Sequence, residues 1–194
     1  MIKLAITGGI GCGKSVVSRI MEIAGVPVYD CDSRAKSLMV SDASIVKSLK
    51  KMFGDECYRE DGSLNRQYVA SCIFTNKTNI ERMNALVHPA VKKDFQQWAV
   101  RQYSDVVAVE TAILYESGMI DTVDKVLVVW AGRETAIART MSKSGMSRMQ
   151  VEDRMRNQMT TDELLLLSDY SIYNDGDNPL VPEVLELFAQ LKGA

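Results

Sequence analysis

The chain has 194 residues, 46% of them hydrophobic and 25% charged, which is ordinary globular composition with ample material for a buried core and no mark of disorder. Its 23 basic and 25 acidic residues leave a formal charge of −2, without the electrostatic footprint of a nucleic-acid or membrane-surface binder, so the expected partner is a small polyanion. Cysteines at 12, 31, 57 and 72 show no Cys-x-x-Cys spacing and lie far from the single histidine, His88, which speaks against zinc and for reduced thiols. The N-terminus enters an apolar run with no basic-then-apolar leader, and no run has membrane-spanning length; a soluble, cytoplasmic protein is expected.

In chain order, the first strand is expected over residues 2–7. It runs directly into Gly8-Gly9-Ile10-Gly11-Cys12-Gly13-Lys14-Ser15, after which Val16 to Met21 carries a helical pattern. Glycines at this spacing let successive amides turn inward as an anion-binding nest at a helix N-terminus. Lys14 reaches the β- and γ-phosphates, and the Ser15 hydroxyl is of the right type to ligate Mg²⁺. The strand before and the helix after are what distinguish this phosphate loop from a chance glycine-rich turn. ATP and Mg²⁺ are therefore the expected cofactors, with Gly9, Gly11, Cys12, Gly13, Lys14, Ser15 and Val16 as nucleotide-binding residues.

Further strands are expected at 27–30, 106–111, 125–130 and 170–174, short and almost continuously apolar, with helical patterns between them. Such strands belong to a parallel sheet covered on both faces. Asp30-Cys31-Asp32 falls at the carboxyl end of the second strand, the edge at which open α/β sheets bind ligands. Either carboxylate can orient or deprotonate a hydroxyl nucleophile. The plainer alternative is an N-cap for a helix starting near Ser33, and the two readings can hold for one Asp each.

The stretch between the second and third strands reads as helical. Asn65 is expected to cap a helix to Cys72, Thr78 and Glu81 to form a capping box, and Pro89 to open a third helix reaching about Tyr103. His88 either faces a substrate or caps that third helix. After the fourth strand, a helix over 134–142 breaks at Gly145, and Ser147 with Gln150 opens another to about Met159. This region carries Arg133, Arg139, Lys143, Arg148, Arg154 and Arg156 against Glu134, Glu152 and Asp153. Guanidinium donors suit the charge that spreads over a γ-phosphate in transfer, whereas most of the six suffice as a solvated helix face; Arg139 and Arg154 are the functional choices. A last helix is expected over 181–191.

A phosphate loop on the first strand, with helical insertions after the second and fourth, is the plan of a small kinase whose insertions hold the acceptor and close as a lid. The expected fold is thus an α/β P-loop NTPase, three-layered and nucleotide-kinase-like, with a five-stranded parallel sheet. Its core would comprise residues 1–32, 104–132 and 166–194, its helical substrate insertion 33–103 and its lid 133–165. A GTPase-type switch would need Asp-x-x-Gly and Asn-Lys-x-Asp; the first is absent, and Asn76-Lys77-Thr78-Asn79 lacks the final acid of the second.

The chain also resembles the dephospho-CoA kinase family nearly end to end. The resemblance is carried by Thr7 to Gly11 with Gly13-Lys14-Ser15, Gly25-Val26-Pro27-Val28 leading to Asp30-x-Asp32, and Asp61-Gly62-Ser63-Leu64-Asn65-Arg66. It continues through His88-Pro89, Leu114-Tyr115-Glu116-Ser117-Gly118, Arg154 with Gln158, Ser168-Asp169-Tyr170 and Asn174-Asp175-Gly176. It implies transfer of the ATP γ-phosphate to the ribose 3′-hydroxyl of dephospho-CoA, with Asp32 as base, Lys14 and Arg139 catalytic, and Asp30, Asp32, Arg66 and His88 toward the substrate. It also places Asn174 beside the adenine. Three positions depart from the family pattern: Cys12 replaces a serine, Lys143 an arginine, and Ala112-Ile113-Leu114-Tyr115-Glu116 a Pro-Leu-Leu-Phe-Glu run. The alternative within the same fold is another small-molecule or nucleoside monophosphate kinase.

Overall fold

The computed structural model describes residues 1–74 and 76–193. Among them, β1 (Ile2–Thr7), β2 (Val28–Asp30), β3 (Val106–Glu110), β4 (Lys125–Trp130) and β5 (Tyr170–Tyr173) form one sheet in the order β2-β3-β1-β4-β5. Every pairing is parallel. The five expected strands are thus all present, within a residue of their expected ends.

The absence of alternation in these strands has a direct cause. Leu4, Ile6, Val106, Ala108, Leu127, Val129 and Ile172 lie in one core cluster with Val17 and Met21 of α1 (Lys14–Ile23) and Val184, Leu187 and Leu191 of α9 (Leu180–Gly193). Ala5, Val107, Val109 and Val128, on the opposite side of the pleat, are equally buried. Both faces exclude water, so neither selects polar side chains. The carboxyl edge stays in register: Glu110 pairs with Ile6 on one side and Asp30 on the other, which brings the ends of β1, β3 and β2 side by side.

The chain divides into two compact units, residues 1–30 with 99–194, and residues 31–98. In the second, α2 (Cys31–Ser41) and α3 (Ala43–Phe53) are followed by a 3₁₀ turn (Asp55–Cys57), α4 (Arg66–Phe74) and α5 (Lys77–Ala99). The helix α3 is an addition to the expected elements, with local signals at both ends: Asp42 accepts from the Ser44 and Ile45 amides at 2.8 and 3.1 Å, and Gly54 ends the helix. Asn65 does accept from the Tyr68 amide, at 3.3 Å, at the start of α4.

Two expectations fail here. The helix α5 is continuous, so Pro89 lies in its interior rather than at the first turn of a separate helix, and His88 caps nothing. Its start is served by Asn76, whose side chain accepts from the Thr78 amide at 2.9 Å, in place of a Thr78 capping box. Proline costs the helix one donor and a clash with the preceding turn but does not forbid continuation when the flanking turns are well packed. Val87, Val91 and Phe95, placed every four residues, are buried.

Beyond β4, α6 (Arg133–Ser144) ends at Gly145 and α7 (Arg148–Arg156) opens on the expected Ser147–Gln150 capping box. The chain then forms α8 (Thr161–Leu166), again under a capping box, from Thr160 and Glu163. The Thr-x-x-Glu spacing that marks α8, outside the expected helices, is a local signal in the sequence. No helix among the described residues is long and apolar enough to cross a membrane.

Candidate active site

The phosphate loop connects β1 to α1 by a path that only glycine can follow at Gly8, Gly11 and Gly13. Gly11 has φ +79°, and an added Cβ would stand 2.1 Å from the Ala136 carbonyl oxygen. Gly13 has φ +94°, and there a Cβ would meet the Asn174 amide nitrogen at 2.1 Å. Both contacts lie on the side facing α6 and the end of β5, so these glycines allow close packing as well as a left-handed turn. Lys14 is the first residue of α1, and Ser15 and Val16 follow in its exposed first turn, where backbone amides point out of the helix end.

The Lys14 ammonium donates to the Gly8 and Gly9 carbonyl oxygens at 2.8 and 3.1 Å and lies 3.8 Å from the Cys12 sulfur. It is folded over the loop that a triphosphate would occupy, and its two carbonyl contacts keep the half-buried charge solvated by the protein. Cys12 itself is buried, only 3% exposed. The Ile10 amide donates to Gln158 Oε1 at 3.0 Å, while the other end of that side chain approaches the Ala112 carbonyl at 3.5 Å. Gln158 follows α7, so a residue of the expected lid touches the loop directly. In the sequence only the family motif pairing it with Arg154 pointed to it.

Asn174, just past β5, is buried. Its side-chain amide donates to the Cys12 carbonyl at 2.9 Å, its backbone N–H to the Trp130 carbonyl at 2.8 Å, and its own carbonyl accepts from Arg139 Nη1 at 2.9 Å. The phosphate loop, the ends of β4 and β5, and the α6 arginine are thereby joined through one residue. Trp130 and Tyr173 flank this point with ring centroids 4.2 Å apart.

The basic residues of 133–156 divide into two groups. Arg148 binds Glu134 at 2.7 Å and Glu152 at 3.1 Å, and holds the Glu134 carboxyl below its ordinary range. Arg133 reaches Glu152 at 3.3 Å, and Arg156 pairs with Asp153. Arg139, Lys143 and Arg154 form no ion pair among the described residues. Arg139 is half-buried and aimed at the loop after β5, whereas Arg154 and Lys143 are exposed.

At the sheet edge, Asp30 is the last residue of β2 and Glu110 the last of β3. The helix α2 begins at Cys31 rather than near Ser33, so Asp32 lies in its first turn and Asp30 immediately precedes it. In the second unit, Arg66 opens α4 and is exposed, and His88 sits at mid-α5, where burial lowers its pKa.

Comparison with known proteins agrees with this geometry. The family model described as dephospho-CoA kinase matches residues 2–179. The chain belongs to the dephospho-CoA kinase family. A dephospho-CoA kinase of Bacteroides fragilis is 40% identical over 191 residues, covering 98% of this chain and 93% of the relative. Among solved structures, TT1252 from Thermus thermophilus superposes with a TM-score of 0.82 at 30% identity, covering 99% and 97% of the two chains. The dephospho-CoA kinase from Campylobacter jejuni superposes with a TM-score of 0.73 at 22% identity, covering 98% of each, which shows the shared fold.

For the magnesium ion that a phosphate loop of this kind implies, the donor set is suitable in kind. The Ser15 hydroxyl at the first turn of α1 and the Asp30 and Glu110 carboxylates at the same sheet edge are hard oxygen ligands. One or two such groups, completed by phosphate and water, are what Mg²⁺ takes, in contrast to an all-protein cage. No cluster of three or more acidic, His or Cys side chains that would form such a cage occurs among the described residues.

Proposed function

We propose that this chain transfers the γ-phosphoryl group of ATP to the ribose 3′-hydroxyl of dephospho-CoA, giving CoA and ADP. The observation that carries the reading is the phosphate loop with Lys14 at the head of α1, braced by Asn174 and Arg139, in a chain of the dephospho-CoA kinase family. In this reading Gly9, Gly11, Cys12, Gly13, Lys14, Ser15 and Val16 hold the phosphates. Asn174 acts on the nucleotide mainly through the loop, since its amide group is committed to the Cys12 carbonyl.

Asp32 takes the proton of the 3′-hydroxyl as its oxygen bonds to the γ-phosphorus and the bond from that phosphorus to the β,γ-bridging oxygen breaks, releasing ADP. Lys14 turns from the Gly8 and Gly9 carbonyls to the β- and γ-phosphates. Arg139, held over the loop by the Asn174 carbonyl, meets the charge that develops on the transferred group. Ser15, with Asp30 or Glu110, would hold Mg²⁺, which would supply neutralisation of the charge on the phosphate oxygens. Asp30, Arg66 and His88 face the acceptor, residues 33–103 form the CoA-binding insertion, and 133–165 act as the lid.

The test is ADP release from Mg²⁺-ATP with dephospho-CoA, run beside AMP, adenosine and shikimate. Release with dephospho-CoA alone, with CoA verified by mass, is the expected result. Turnover on another acceptor only would keep the kinase and discard this substrate.

A further inference from the structure

The helical unit contains a cavity of ≈ 300 Å³ lined by Lys36, Val40, Arg59, Ser63, Leu64 and Arg66. Three of these six residues are cations, and none is an acid. They come from three places: Lys36 and Val40 from adjacent turns of α2, Arg66 from the start of α4, and the rest from the segment between the 3₁₀ turn and α4. That segment is a built hairpin. Tyr58 and Leu64 form an antiparallel bridge, the Arg59 amide donates to the Ser63 carbonyl at 2.9 Å, and the Gly62 amide closes the turn onto the Arg59 carbonyl at 2.9 Å. The Tyr58 hydroxyl pins it to the Met39 carbonyl at the end of α2, at 2.5 Å.

The scaffold is thus held by hydrogen bonds, yet Lys36, Arg59 and Arg66 form no ion pair among the described residues. Within the hairpin, Asp61 accepts the Ser63 amide at 2.9 Å. Ser63 in turn holds the Asp61 carboxyl below its ordinary range through its side chain and its amide. Elsewhere in the same unit Arg34 is clamped by Asp94 through both of its oxygens, so cations here do find partners where a partner is meant. Three converging positive charges with no acid in the lining form a receptor for a compact multivalent anion. Val40 and Leu64 add an apolar border, fit for a branched alkyl group beside that anion.

We infer that this cavity binds the diphosphate of dephospho-CoA, with Lys36, Arg59 and Arg66 on its oxygens and the adjoining dimethyl carbon of the pantetheine arm against Val40 and Leu64. The inference rests on the proposed reaction and names the part of the acceptor that the helical unit grips. The register of α2 supports it. Asp32 and Lys36 are four residues apart and share a helix face, roughly 6 Å along the axis. The 3′-hydroxyl to be deprotonated and the 5′-diphosphate belong to one ribose, so base and anchor must lie within such a span. Asp32 then also disfavours an anion seated one turn too early.

The experiment compares wild type with Arg59→Gln and Lys36→Gln in steady-state kinetics and in direct titration of dephospho-CoA without ATP. The KM and Kd for dephospho-CoA should rise about tenfold in each variant, as expected for losing a charge-assisted hydrogen bond, with kcat and the KM for ATP within about twofold. The wild-type KM for dephospho-CoA should climb with added KCl, and less steeply in Arg59→Gln. Both variants being exposed-residue changes, a thermal melt matching wild type shows that folding is intact. If wild type turns over dephospho-CoA while both variants keep its KM, the subsite is wrong and the reaction stands. If wild type binds dephospho-CoA but does not phosphorylate it, the reaction falls and the variants' Kd values judge the subsite. If wild type does neither, both fall.

Discussion

In the proposed reaction Lys14 and Asp32 have different tasks, one on the phosphates and one on the acceptor hydroxyl, and should fail differently when replaced. Lys14→Ala removes a positive charge from the phosphates, so turnover should drop by about 10²–10³-fold with weaker ATP binding. Asp32→Asn should lower kcat by about 10²–10⁴-fold while the Kd for ATP is kept, because only proton removal is lost. Single-turnover kinetics with separate ATP titrations distinguish them, and near-normal kcat in Asp32→Asn would transfer the base role to Asp30. Asn174 supplies a third residue-scale prediction. Asn174→Ala leaves the Cys12 carbonyl without its 2.9 Å donor, which costs about 1–3 kcal/mol for a buried acceptor and loosens the loop. The KM for ATP should rise more than that for dephospho-CoA, and denaturant unfolding should reveal the stability loss; a variant with unchanged KM for ATP would reduce Asn174 to a packing residue. The glycines, Lys14 and Ser15 could be located from sequence because their spacing is local. Asn174 was located too, but its attachment to Cys12 was not, since 162 residues separate them.

Elements were legible wherever a start or stop signal agreed with the hydrophobic period. The Ser147–Gln150 capping box and the stop at Gly145 were read correctly because side chain and backbone satisfy each other within four residues. Pro89 misled for the complementary reason. Its local preference is for a first turn, and the packing of buried Val87, Val91 and Phe95 carries the helix through it. The missing N–H leaves the Ala85 carbonyl without its helical donor, so Pro89→Ala should stabilise the protein by about 1–3 kcal/mol. Urea denaturation checks this: a lower midpoint would mean that the proline is accommodated without strain and contributes through chain stiffness.

For the whole molecule, the stability response between about pH 5.5 and 7 falls mainly to His88, the single histidine, since the shifted carboxylates titrate at lower pH. Burial lowers its pKa below the ordinary 6.5. Between the folded and unfolded values the unfolded chain binds more protons, so its contribution to stability is complete above pH 6.5 and is lost as pH falls through that value toward the folded pKa. The thermal midpoint should decline from pH 7 to pH 5.5, and His88→Gln should flatten the decline; an equal slope in both proteins would mean that His88 titrates normally. The same burial keeps His88 neutral near pH 7, so toward a phosphorylated acceptor it would serve as a hydrogen-bonding group rather than a cation.

The sequence by itself determined the class of fold, the phosphate loop and the acid pair at the second strand. Each is written in a short window whose dihedral and burial requirements leave few residue choices. Strand order, with β3 between β1 and β2, depended on the tertiary structure, since a doubly buried strand carries no label for its neighbour. So did the division of the basic residues into Arg133, Arg148 and Arg156, held in ion pairs, and Arg139, Lys143 and Arg154, which form none among the described residues, and the gathering of Lys36, Arg59 and Arg66 around one cavity. Charge is readable along a chain, but its partners are chosen across space.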